Sequence, residues 1–377
     1  TVSGDKNHEV SYYSMDSAGN KEEVITQSLK IDSETPVTTS DIEDQWNQTE
    51  IKVELSAIDN LSGVAKTYYS VDGSDYVEGT SFTVSGDKIH EVSYYSVDHA
   101  GNKEEIKSQK VKIDGETPKT SDNHSEIWAK TDVEVVLKAE DNLSGVSKTY
   151  YSINGSEYTL GTNFKITKEG INEVKYYSVD VARNKEDIKT ILVKVDMTAP
   201  VINAGINEEY MLGSEFGISY STVEEHSGVA VEEVTLNGVA YKNGDTVNLD
   251  EPGVYTLTIK VTDHAGWTTT FEKEFVVYIP LTLEVLPKVI KGNKGIFTVK
   301  ANLPQEFSGS TFAVSTATLN GVAPKLDNNG LTKQAEKGHF KFEREDFDWK
   351  PGKVELQFRS YLENGYLVVG STIVDVK

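Results

Sequence analysis

The sequence has no cysteine, only nine prolines in 377 residues, and no run of about 18 apolar residues. Without cysteine there are no disulfides, no thiol catalysis and no zinc–thiolate sites. Without a long apolar run no transmembrane helix or membrane insertion is expected. Basic residues are in deficit, with 37 Lys and Arg against 60 Asp and Glu, a net charge of −23. That balance excludes nucleic acid as a partner, because binding phosphate needs a basic face. Residues 1–10, TVSGDKNHEV, show no signal-peptide pattern. The seven histidines form no H-x-x-x-H or HExxH spacing, and there is no G-x-S-x-G elbow or phosphate-binding glycine loop. Carboxylates are so numerous that no glycosidase dyad stands out. The sequence therefore reads as that of a protein that is not an enzyme.

What is present is repetition. Pro36, Pro118 and Pro200 lie 82 residues apart. The string TVSGDKNHEVSYYSMDSAGNKEE at Thr1 returns at Thr83 as TVSGDKIHEVSYYSVDHAGNKEE, and more loosely near Thr167 as TKEGINEVKYYSVDVARNKED. DNLSGV recurs at Asp59 and Asp141, and a divergent copy follows with EEHSGV from Glu224 and VTDHAGW from Val261. A fixed period of this length signals an array of similar domains. Each unit alternates apolar and polar residues in short stretches such as EIKVELSAI and HEVSYYSV. Asp72-Gly73, Asn154-Gly155 and Asn237-Gly238 are two-residue hairpin turns, in which glycine accommodates positive φ. About seven strands in 82 residues predicts an immunoglobulin-like sandwich, and no helical periodicity is evident.

The expected fold is all-β: tandem immunoglobulin-like β-sandwiches forming an elongated rod. The expected divisions are a truncated repeat at 1–36, repeats at 37–118 and 119–200, a divergent domain at 201–280 and a distinct β-sandwich at 281–377. The truncated copy holds only the last three strands of the unit, which predicts that the natural chain continues on its N-terminal side. Its orphan strands are a candidate for self-association by strand addition. Residues 281–377 hold 13 Lys and Arg against 11 Asp and Glu, leaving 24 against 49 for residues 1–280. The acidity belongs to the repeats.

Alternation in the divergent copy fixes which side chains face inward. Tyr255, Leu257, Ile259 and Val261 form its apolar set, so alignment on Asp263 and Asp98 turns Val92, Tyr94 and Ser96 inward. Each Tyr-Tyr dipeptide then offers one core ring and one surface ring. Tyr68 with Tyr95, and Tyr150 with Tyr177, are expected as surface pairs where the divergent copy has Glu233 and Lys260. Two readings fit them: a generic cross-strand contact, or a platform for a cell-wall or host glycan or a neighbouring protein.

Two loops at one end of each sandwich carry hard oxygen ligands: Asp59 and Asn60 with Asp98 and Asn102, and Asp141 and Asn142 with Asp180 and Asn184. Beside an acidic linker (Asp114, Glu116) they are candidates to hold calcium between successive domains. The competing reading is that Asp and Asn cap their own turns. Asp327 to Gly330 is a weaker hint of the same kind. His90 aligns with Asn172 and Tyr255, which marks a structural corner rather than a catalytic base.

The motifs DNLSGV, YYSVDG and YYSVDHAGNKEE resemble the immunoglobulin-like repeats of secreted and surface proteins of Gram-positive bacteria. Residues 281–377 more loosely resemble a β-sandwich module near the C-termini of such proteins. Arg183 in place of the corner glycine, and Trp267 in place of the corner asparagine, depart from the pattern. The resemblance implies an extracellular, cell-surface setting and a non-catalytic stalk or spacer that presents another domain. It is also compatible with an adhesin or carbohydrate-binding module, an accessory region of a secreted hydrolase, or a self-assembling surface-layer subunit.

Overall fold

The computed structural model describes residues 1–327 and 330–377, which form two compact units. One comprises Thr1–Glu126 with Asp132–Lys194, the other Ile127–Thr131 with Val195–Lys377. Both are built almost wholly of β-strands.

The first unit opens with a hairpin of Lys6–Tyr12 against Ile25–Ile31. A two-sheet repeat follows. One sheet pairs Val37–Ser40, Ile51–Ile58 and Ser81–Val84; the other orders Trp46–Asn47, Lys107–Ile113, Lys88–Asp98, Val64–Val71 and Val77–Glu78. The period-2 pattern of Lys88–Asp98 does what alternation requires, burying Val92, Tyr94 and Ser96 and leaving Ser93, Tyr95 and Val97 half-exposed. Val53, Leu55, Phe82, Val84, Val92, Tyr94, Val111 and Ile113 close the core between the sheets. Tyr69 turns inward and stacks on Phe82 at 3.9 Å. The next repeat copies this plan, with Val135, Leu137, Phe164, Ile166, Val174 and Tyr176 buried.

In the second unit one long strand, Thr268–Pro280, changes partner along its length. It pairs antiparallel with Gly253–Asp263 from Thr268 to Val277, then parallel at Ile279 and Pro280 with Val368 and Val369. A nine-stranded sheet therefore runs past the boundary expected at residue 280. Two apolar cores flank that crossover, one around Phe216, Leu257 and Phe275 and the other around Phe297, Phe340, Phe342 and Phe358. Arg359 grips both carboxylate oxygens of Glu209 beside it, with Nη1 2.8 Å from Oε2.

Among the described residues one short α-helix, Leu331–Glu336, interrupts the β pattern. Six residues are too few to leave a helical period in the sequence, and Gly330 offers no capping side chain to announce it.

Candidate functional site

Two loops of the repeat, Asp59–Gly63 and Asp98–Asn102, lie beside the connector that enters it, and their geometry follows from turn chemistry. At the Asp98–Asn102 corner the Asp98 carboxylate accepts from the Asn102 backbone N–H at 2.8 Å and from its side-chain amide at 2.7 Å. Burial pushes the Asp98 carboxyl up, but these bonds outweigh it and hold the group below the usual carboxylate range. Asp59 Oδ2 accepts from the N–H groups of Leu61 and Gly63 at 3.1 and 2.7 Å. Both are side-chain turns of the kind aspartate favours.

The connector supplies a third acid, at Asp114 where the acidic linker was expected and at Asp32 one repeat earlier, which the sequence reading did not name. Asp32 Oδ2 accepts from the Ser62 N–H at 2.8 Å, and its backbone carbonyl accepts from the Asn102 amide at 3.1 Å. The next repeat does the same with Asp114, which meets Ser144 N at 2.9 Å and the Asn184 amide at 2.8 Å. In the second unit Asp196 Oδ2 meets Ser227 N at 3.3 Å, and the indole N–H of Trp267 takes the place of the asparagine amide. Three clusters result: Asp32, Asp59 and Asp98; Asp114, Asp141 and Asp180; Asp196, Glu224 and Asp263. In each, one carboxylate oxygen per residue lies within 4.8 Å of the others. Asp32, Asp114 and Asp196 recur at the same 82-residue step as the prolines, a signal the sequence does contain.

The structure thus brings Asp59 to Asp98 and Asp141 to Asp180, and sends the neighbouring asparagines elsewhere. Asn60 donates to Glu34 and Asn142 to Glu116, both on connectors and outside the clusters. Asn102 and Asn184 turn their amide nitrogens toward the acids, a donor role rather than a ligand's. Of the weaker hint at Asp327 to Gly330, residues 328 and 329 lie outside the described residues. Asp327 itself accepts from Gly330 N and Leu331 N.

A buried glutamate escaped sequence reading altogether. Glu104, 6% exposed, accepts from the N–H groups of Thr38 at 3.0 Å and Ser96 at 2.8 Å, with Lys107 at 3.1 Å. Burial raises its pKa, yet the bonds from Thr38, Lys107 and Ser96 prevail and leave it lowered. Glu186 repeats the arrangement with Thr120, Ser178 and Lys189. Each ties the first strand of a repeat to its last.

The tyrosines face each other in register, Tyr68 opposite Tyr95 and Tyr150 opposite Tyr177, with centroids 5.2 Å apart in both pairs. Glu233 sits opposite Lys260 at the corresponding place. Each pair is already engaged. Tyr76 and Tyr158 meet Tyr95 and Tyr177 edge-on at 5.0 Å. Lys103 and Lys185 sit 3.8 and 3.9 Å from the same two ring centroids. His90 is buried with both ring nitrogens bonded, to Asp72 and to the Gly86 carbonyl. Lys88 first, then the Glu91 N–H and His90, hold the Asp72 carboxyl down at about 2. That is a corner, and Asn172 fills it in the next repeat through Asn154 and the Lys168 carbonyl.

Residues 71–115 match a family described as a bacterial Ig-like domain. No curated protein matches the chain. Among solved structures, a D1–D4 ectodomain fragment of ICAM-5 is 10% identical, aligned over 91% of this chain and 100% of that one, with a TM-score of 0.39. A tetra-tandem repeat from the extending region of a large adhesion protein is 12% identical over 91% and 99%, TM-score 0.27. Three N-terminal domains of the outer capsid protein Hoc of bacteriophage RB49 are 10% identical over 64% and 98%, TM-score 0.32. The family match falls within one copy of the internal repeat, and the chain is built of tandem immunoglobulin-like repeats.

Proposed function

We propose that the chain is a non-catalytic spacer of an extracellular protein at a bacterial surface, one that carries another domain at a set distance. The observation behind this reading is the treatment of the connectors in the first unit. A flexible linker leaves its backbone to solvent. Here Asp32 and Asp114 are instead bonded through carboxylate and carbonyl to two loops of the repeat that follows. Ordering a connector in this way costs conformational entropy that a mere tether has no reason to spend. Among the described residues no helix is long and apolar enough to cross a membrane. The glycan-binding alternative draws less support, because the rings it needs are covered by lysine and by other tyrosines.

The reading demands an extended particle in solution. Small-angle scattering of the 377-residue chain is the test. A pair-distance distribution with a long tail is expected, and the profile of a compact globule of this mass would overturn the spacer.

A further inference from the structure

We propose that each of the three acidic clusters is a binding site for one Ca²⁺ ion. The proposal stands on local geometry and is independent of the spacer role. Backbone N–H groups occupy only part of each carboxylate's capacity, since an ionised carboxylate offers about four lone-pair positions. In the first two clusters Asp59 Oδ1 and Asp141 Oδ1 are buried atoms without a hydrogen-bond partner. In the third, Asp263 is 2% exposed and its Oδ2 is likewise unpartnered. The cause in that cluster is visible. Asn102 and Asn184 each give an amide hydrogen to the second oxygen of Asp98 and Asp180, whereas Trp267 gives its N–H to the Asp196 carbonyl.

A buried carboxylate oxygen with no donor, on a residue clustered with two other acids, is expensive unless a cation takes it. Three times the chain repeats that arrangement, once with Glu224 in place of an aspartate. The spacing suits the ion, because ligands about 2.4 Å from a shared Ca²⁺ lie no more than about 4.8 Å from each other. The donors are all carboxylate oxygens, the hard ligands calcium prefers, without the imidazole or thiolate that zinc or copper selects. Water completes a shell of six to eight oxygens. One ligand of every set sits on the connector (Asp32, Asp114, Asp196) and two on the loops of the following repeat. In the first unit the ion therefore bridges the same residues that the hydrogen bonds already join.

The test is isothermal titration of CaCl₂ into the EDTA-stripped, dialysed full chain. Three ions per chain are expected. Asp59→Asn, Asp141→Asn and Glu224→Gln should each remove one, and the triple variant all three. Each amide keeps an oxygen for the turn's N–H groups, and far-UV circular dichroism checks that the strands persist. Should a variant fail to fold, Asp32→Asn probes the first cluster from the connector side and should also leave two ions. Absence of saturable binding in the wild-type chain at millimolar calcium overturns the proposal without recourse to any variant. So does a stoichiometry of three that survives the triple substitution.

Discussion

The indole N–H of Trp267 donates to the backbone carbonyl of Asp196 at 2.9 Å, the bond that Asn102 and Asn184 make to Asp32 and Asp114. Two side chains of unlike size and chemistry thus hold the same point of the connector, because all that the position requires is one N–H at the right reach. Asp196 is fully buried, so its carbonyl has no water to fall back on. Trp267→Phe keeps a ring and deletes the donor. It is expected to lower stability by about 1–2 kcal/mol, the cost of stranding a buried acceptor. Scanning calorimetry of the two chains reads this as a lower unfolding temperature for the transition of the second unit.

Glu104 offers a prediction with a pH signature. Its carboxyl titrates below its ordinary value of 4.5 in the folded chain, held there against burial by Thr38, Lys107 and Ser96. A lowered folded-state pKa means that its stabilisation is complete above the unfolded value and fades as pH falls through the folded one. Glu104→Gln places an amide NH₂ among N–H donors and is expected to cost about 2 kcal/mol at pH 7. The deficit should narrow at pH 3, where the wild-type acid is also losing its charge. Urea midpoints at the two pH values decide it, and an equal deficit at both would refute the ionised clamp.

Much of this was legible in the sequence, and the reasons differ from residue to residue. Strong alternation at Tyr255–Val261 fixed the inward faces, and the in-register tyrosine pairs followed from aligning one copy on another. The Asp59 and Asp98 loops announced themselves as turns and proved to be neighbours. Asp32 and Glu104 were harder to see because each acts across some thirty or more residues, and a lone acid on an acidic chain has no local pattern. The partner exchange of Thr268–Pro280 was hidden for a related reason. A continuous apolar alternation shows that a strand exists, while its change of neighbour depends on contacts nearly 90 residues away.

The surface tyrosines are predicted to act through stability. Lys103 sits 3.8 Å from the Tyr95 centroid, and Tyr68 and Tyr76 occupy two further approaches. Lys103→Ala should cost about 0.5 kcal/mol, the scale of an exposed cation–π contact. The same change bares a face of the ring. On a glycan array, retention by wild-type and Lys103→Ala chains is expected to be equally at background. Strong retention that rises once the lysine is gone would restore the sugar platform.

Arg183 provides a paired test of backbone strain. It adopts φ +76° at the corner where Gly19, Gly101 and Gly266 stand at +89°, +93° and +85°. All four donate the same N–H, to Asp16, Asp98, Asp180 or Asp263, so the turn is preserved and only the residue type differs. A side chain in this region costs about 1–2 kcal/mol, partly offset because glycine loses more freedom on folding, by about 0.5–1 kcal/mol. Arg183→Gly should therefore stabilise its repeat by up to about 1 kcal/mol. Gly101→Arg should destabilise by a similar amount, since a Cβ at Gly101 meets nothing within 4 Å and the penalty is confined to the backbone. Opposite shifts in calorimetric unfolding temperature are expected. Two shifts of the same sign would mean that the arginine side chain, rather than its backbone, sets the energy of this corner.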